Sequence, residues 1–169
     1  MRAGVGFIGM HHVGLICKDL ERSMAFYEGV LGKPRIPPLE PHHSRGRART
    51  HARMHDLTLT PRMHPSGLAT NPARPDDKLP YRGAWLWIGP EMVHLMELPN
   101  PDPDAIDARP EHGGRDRHFC VAVASVETLQ ERLDEADVSY TKSKSGRPAI
   151  FFRDPDANTL ECVEIDPWR

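Results

Sequence analysis

The sequence predicts an α+β fold: two βαβββ modules forming a curved, cup-shaped mixed sheet with helices on its outer face. Two observations predict it. The first is a repeat at a spacing of 106 residues, in which His12-Val-Gly-Leu-Ile-Cys-Lys-Asp19 echoes His118-Phe-Cys-Val-Ala-Val-Ala-Ser125. Each copy sets a histidine in an alternating apolar run and, seven residues on, a helix-capping side chain. The second is a strand, turn and strand that closes each half, Gly83 to Leu98 and Arg147 to Ile165, the later turn being two residues longer.

Residues 11 to 17 alternate as a strand, with His12, Gly14 and Ile16 on one face. Asp19 caps a helix whose apolar stripe is Leu20, Met24, Tyr27 and Leu31, and Gly32 stops it. In the second copy Arg117 to Ala124 form the strand, Ser125 the cap, and Val126, Leu129, Leu133 and Ala136 the buried stripe, before a short strand from Val138 to Lys142. Hairpins pair 84 to 89 with 91 to 98 and 149 to 153 with 159 to 165. Asp154-Pro-Asp-Ala-Asn158 is a turn because Pro155 presets φ and the Asp and Asn side chains bond local backbone.

At 169 residues the chain is expected to be a single domain, 1–169, with module one at 8–98 and module two at 115–166. A formal charge of −2 gives no global reason to expect nucleic acid or an anionic membrane as partner. No apolar run has the length to span a bilayer, and the start does not read as a secretory signal. The cytosol is the expected compartment; a plastid location would require a transit peptide that had been removed. Cys17, Cys120 and Cys162 lie far apart with no CxxC pattern, which fits core thiols in a reducing environment. Cys120 shares a strand face with His118 and becomes a wall residue if that face lines a cavity.

The insert 41–75 is different in kind. It carries six Arg, five His, five Pro and a single acid, Asp56, for a formal charge of +5. With few large apolar groups it is expected to be a surface loop; a lid, an intersubunit arm or a patch for an acidic partner are the other readings. His42, His43, His51, His55 and His64 lack a thiol or a second carboxylate, and are expected to bind metal only adventitiously.

A duplicated unit that sets an imidazole at the same depth in two strands can bring both to one metal ion. Laying Val93 to Leu98 over Leu160 to Ile165 puts His94 opposite Glu161, so His12, His94, His118 and Glu161 fall at four equivalent points. Two or three imidazoles and one carboxylate suit Zn, Ni, Co, Fe or Mn as the divalent ion. Burying Glu161 without a cation would be costly. By period two, Glu97 and Glu164 face away from these ligands, toward solvent or a helix edge, and His11 also points away.

His11-His12-Val13-Gly14-Leu15, Ser23-Met-Ala-Phe-Tyr27 with Val30-Leu31-Gly32, Arg117-His118-Phe119 and Phe152-Arg-Asp-Pro-Asp-Ala-Asn-Thr-Leu-Glu161 together resemble the vicinal oxygen chelate superfamily of glyoxalase I, fosfomycin-resistance proteins, methylmalonyl-CoA epimerase and extradiol dioxygenases. Ala84-Trp-Leu-Trp87, Val93 to Pro101 and Arg109 to His118 are similar to the small glyoxalase-like proteins of cyanobacteria, algae and plants. The resemblance implies His12, His118 and Glu161 as metal ligands. At His94 the family usually carries Glu or Gln, which leaves open a metal ligand, a substrate contact or a water-filled position. Ala157 replaces the usual turn glycine, at a cost if its φ is positive.

The expected function is a metal-dependent lyase or isomerase of glyoxalase I type, acting on a hemithioacetal or similar α-hydroxycarbonyl compound, with glutathione as co-substrate. The metal would hold two adjacent substrate oxygens, Glu161 would be the base, and Trp85, Trp87, Met96 and Cys120 would wall the pocket. One alternative is a non-catalytic cup that sequesters a small molecule; another is an Fe-dependent extradiol-type dioxygenase. A homodimer is expected.

Overall fold

The structure is a computed structural model, and it describes residues 9–32, 68–100 and 109–165. Two four-stranded sheets repeat one plan. The first holds β1 (His12–Cys17), β2 (Ala69–Thr70), β3 (Gly83–Ile88) and β4 (Glu91–Glu97), in the spatial order β1-β4-β3-β2. The second holds β5 (His118–Val123), β6 (Tyr140–Lys142), β7 (Ala149–Arg153) and β8 (Thr159–Glu164), in the order β5-β8-β7-β6. In each, the opening strand runs parallel to the closing strand and the remaining pairs are antiparallel. A parallel neighbour requires a crossover, and a helix supplies it both times.

Helix α1 (Leu20–Met24) starts as expected, with the Asp19 carboxylate accepting from the Arg22 amide at 2.9 Å. It then continues as a π-helical stretch, Ala25–Leu31, that ends at Gly32 and buries both Phe26 and Tyr27. Helix α2 (Val126–Glu135) is capped by Ser125, whose Oγ accepts from the Thr128 amide at 3.1 Å. Ala136, expected in its buried stripe, is exposed instead: the helix ends one residue earlier, so the 3.6-residue period no longer applies there.

The insert needs one correction. Ala69 and Thr70 form β2, paired with Trp87 and Leu86, so this end of 41–75 belongs to the sheet; 41 to 67, with its five histidines, lies outside the described residues. One apolar core serves both modules, joining Leu15, Cys17, Tyr27, Leu86, Val93 and Leu95 to Leu129, Leu133, Ile150, Phe152, Leu160 and Cys162. These side chains leave the sheets on the face opposite to the histidines. On β1 and β5 the exposed His12, Gly14, His118, Cys120 and Ala122 alternate with more buried neighbours.

The two modules close their helices identically. Glu97 Oε1 accepts the Leu20 amide at 2.9 Å, and Glu164 Oε2 accepts the Val126 amide at 2.8 Å. A carboxylate at a helix start satisfies an amide that has no partner within the helix and meets the positive end of its dipole. Both glutamates therefore serve the helix edge. No helix among the described residues is long and apolar enough to cross a membrane.

Candidate metal centre

The expected ligands occupy two separate groups. On the second sheet, His118 Nε2 lies 3.2 Å from Glu161 Oε2, and the Glu161 side chain is only 8% exposed. Cys120 pairs in register with Glu161, and the Arg147 guanidinium reaches Glu161 Oε1 at 3.3 Å. The other ring nitrogen of His118, Nδ1, lies 2.8 Å from the Asp116 carbonyl oxygen. Both nitrogens thus face acceptors. Such an arrangement is complete only with a cation, a proton or a metal ion, between Nε2 and the carboxylate.

On the first sheet His94 sits between two rings. Its imidazole stacks on His12 at a centroid distance of 4.0 Å and on Trp85 at 4.4 Å, with interplanar angles of 11° and 8°. Trp85 and His94 are register partners across β3 and β4, which is why the rings overlap. His94 Nε2 is buried without a hydrogen-bond partner. Burial, then the nearby His12, His11 and Arg74, hold the His94 imidazole down to about 4, so it is neutral at physiological pH, the form that binds metals.

His11 departs from the expectation that it points away. Its Nδ1 lies 2.8 Å from His12 Nδ1. It precedes β1, so strand alternation does not govern its direction.

Among the described residues, no three His, Cys, Asp or Glu side chains meet as metal ligands. His12 with His94 and His118 with Glu161 are two half-sets on two sheets. The donor types fit a divalent first-row ion, and the orphaned His94 Nε2 and the buried Glu161 are the atoms that such an ion would satisfy.

Among the wall residues, Trp85 joins the His94 stack and Cys120 is exposed beside Glu161. Met96 lies on the face of Gly14, where a side chain on that glycine would meet the Met96 methyl at 3.1 Å. Trp87 instead borders an apolar cavity of about 280 Å³ with Leu31, Phe119 and Leu129. Cys17 and Cys162 are buried core thiols.

Sequence reasoning missed Arg74, Asp116, Arg147 and Arg153. The Arg74 side chain is 6% exposed, pairs with Asp76 and donates to the Tyr81 carbonyl at 2.8 Å. It lay inside a segment whose composition reads as loop. The others are ordinary surface charges by type, and only the fold brings Arg147 to Glu161 and Arg153 to Asp116, whose carbonyl meets His118.

A profile of the Glyoxalase/Bleomycin resistance protein/Dioxygenase superfamily matches residues 9–162. Glyoxylase I 4 of Arabidopsis thaliana is 22% identical over 162 residues, covering 93% of this chain and 71% of that protein. A lactoylglutathione lyase of Pseudomonas putida is 29% identical, covering 93% and 85%. Among solved structures, a variant of the Listeria monocytogenes fosfomycin resistance protein FosX, complexed with Mn(II) and a dihydroxypropylphosphonic acid, superposes with a TM-score of 0.58 at 14% identity over 95% of both chains. On the family match across nearly its whole length, the chain belongs to the Glyoxalase/Bleomycin resistance protein/Dioxygenase superfamily.

Proposed function

We propose that this protein is a metal-dependent lyase or isomerase of glyoxalase I type, acting on the hemithioacetal of a small α-ketoaldehyde and a thiol such as glutathione. Its centre is assembled between two copies of the chain, His12 and His94 from one and His118 and Glu161 from the other. The observation that carries this reading is the His118 and Glu161 pair, 3.2 Å apart and buried at the carboxylate, with no third ligand near it among the described residues. The glyoxalase names among the relatives support it.

His12, His94, His118 and Glu161 would hold a divalent ion, which would supply Lewis acidity to the substrate's oxygens. The chain does the proton work. Glu161 takes a proton from the carbon that bears the hydroxyl and returns it to the neighbouring carbonyl carbon, while the hydroxyl proton passes to the former carbonyl oxygen, so the hemithioacetal becomes a hydroxy thioester with no net redox partner. Arg147 holds the other carboxylate oxygen and brings to the site a positive charge suited to an anionic thiol.

Metal analysis of untagged protein, its molecular mass in solution, and thioester formation from methylglyoxal and glutathione test this together. The expected result is one metal per chain, a dimer, and turnover. A monomer with no metal and no turnover would exclude it.

A further inference from the structure

We infer that Asp116 is a positioning residue: its carbonyl fixes the direction of the His118 ring so that Nε2 faces Glu161, with Arg153, Arg109 and Thr159 locking Asp116 in turn. This rests on the reading of His118 as a metal ligand. Asp116 is tied at every polar atom. Its amide donates to the Gly113 carbonyl at 3.0 Å. Its carboxylate, 7% exposed, accepts from Arg153 Nη1 at 2.6 Å, Thr159 Oγ1 at 3.2 Å, the Arg117 amide at 2.8 Å and Arg109 Nη1 at 3.3 Å.

These bonds anchor the loop before β5 to both closing strands, because Arg153 stands on β7 and Thr159 on β8. Arg153 also donates to the Pro110 carbonyl at 3.0 Å and to the Ala157 carbonyl at 3.2 Å. The turn at Gly113–Arg115 lies flush on β7, since a side chain at Gly113 would come within 2.5 Å of Phe151 Cβ. The Asp116 carbonyl therefore has a fixed direction, and it meets His118 Nδ1 at 2.8 Å.

A carbonyl oxygen only accepts, so it holds an Nδ1 that carries a hydrogen; Glu161 Oε2, 3.2 Å from Nε2, accepts as well, and the ring satisfies both when a proton or a metal ion stands at Nε2. Nothing else in the described residues bonds Nδ1, so the clamp on Asp116 sets the direction of the ring.

The test is Co²⁺ titration together with nitrogen NMR of 15N-histidine in Zn²⁺-loaded protein, which reads the Nδ1–H of His118. Wild type is expected to show that hydrogen protected from exchange with solvent. Asp116→Ala is expected to expose it to exchange and weaken Co²⁺ binding about ten- to hundredfold, with part recovered in Asp116→Asn, which keeps an acceptor oxygen. If Asp116→Ala does not fold, Arg153→Met and Thr159→Val, each removing one bond to the same carboxylate, are read the same way. A folded Asp116→Ala with wild-type exchange protection at Nδ1 and wild-type Co²⁺ affinity overturns the inference. If wild type binds no metal, the metal-centre reading fails, and the exchange protection of the Nδ1–H in metal-free protein decides the role of Asp116.

Discussion

The Tyr27 hydroxyl donates to Asp154 Oδ2 at 2.9 Å, joining the helical segment of the first module to the β7–β8 turn of the second. Tyr27 is fully buried, and burial followed by the Asp154 charge pushes its phenol well above the ordinary value, so it stays a donor. A buried hydrogen bond to a charged group contributes about 2 kcal/mol. Tyr27→Phe is expected to lower stability by about that amount in urea unfolding; an unchanged midpoint would show that the bond does not hold the modules together.

Ala157 adopts a φ of +64°, the left-handed region that favours glycine. The left-handed conformation costs a side-chain-bearing residue about 1 kcal/mol. Ala157→Gly is expected to raise the thermal midpoint by a gain of about 1 kcal/mol, offset in part by the added freedom of the unfolded chain. A lower midpoint would count against strain at this position.

Burial pushes the Cys17 thiol up to about 11 and the Cys162 thiol up to about 12, from an ordinary 9.0. The folded chain keeps both protons where the unfolded chain has lost them. This stabilisation is whole below pH 9.0 and is lost as pH rises through the folded values. Urea midpoints should fall between about pH 9 and pH 11, less steeply in Cys162→Ala. Parallel declines in the two proteins would rule out that origin.

His118→Ala is expected to lose the metal with little change in fold, because its side chain is partly exposed on an edge strand and lies outside the apolar core. Circular dichroism and metal content read the two halves of the prediction. Full metal occupancy in the folded variant would remove His118 from the ligand set.

Chelation separates catalysis from storage. Stripped protein is expected to lose turnover at least a hundredfold, in order of magnitude, and recover it on adding back a divalent ion. A metal-free protein that still retains its small molecule, with no turnover before or after, would instead be a sequestering cup.

The repeat was legible because both copies must solve the same local problem. His12 to Asp19 and His118 to Ser125 each need an alternating strand that feeds a capped helix, and alternation and caps are written in adjacent residues. Even the placement of Glu97 and Glu164 at helix edges followed from period two. His11 was misread because alternation was extended one residue past the strand, and β2 because a two-residue strand has no period to detect.

By itself, then, the sequence determined the order of elements, the caps and which residue types face away from the core, since these depend on neighbours within one or two turns of chain. The tertiary structure alone decided that His94 stacks between Trp85 and His12, that Arg153 and Thr159 clamp Asp116, and that the four expected ligands divide into two pairs. Those relations join atoms on different strands, and their geometry is set by how the two sheets share one core rather than by any local preference of the chain.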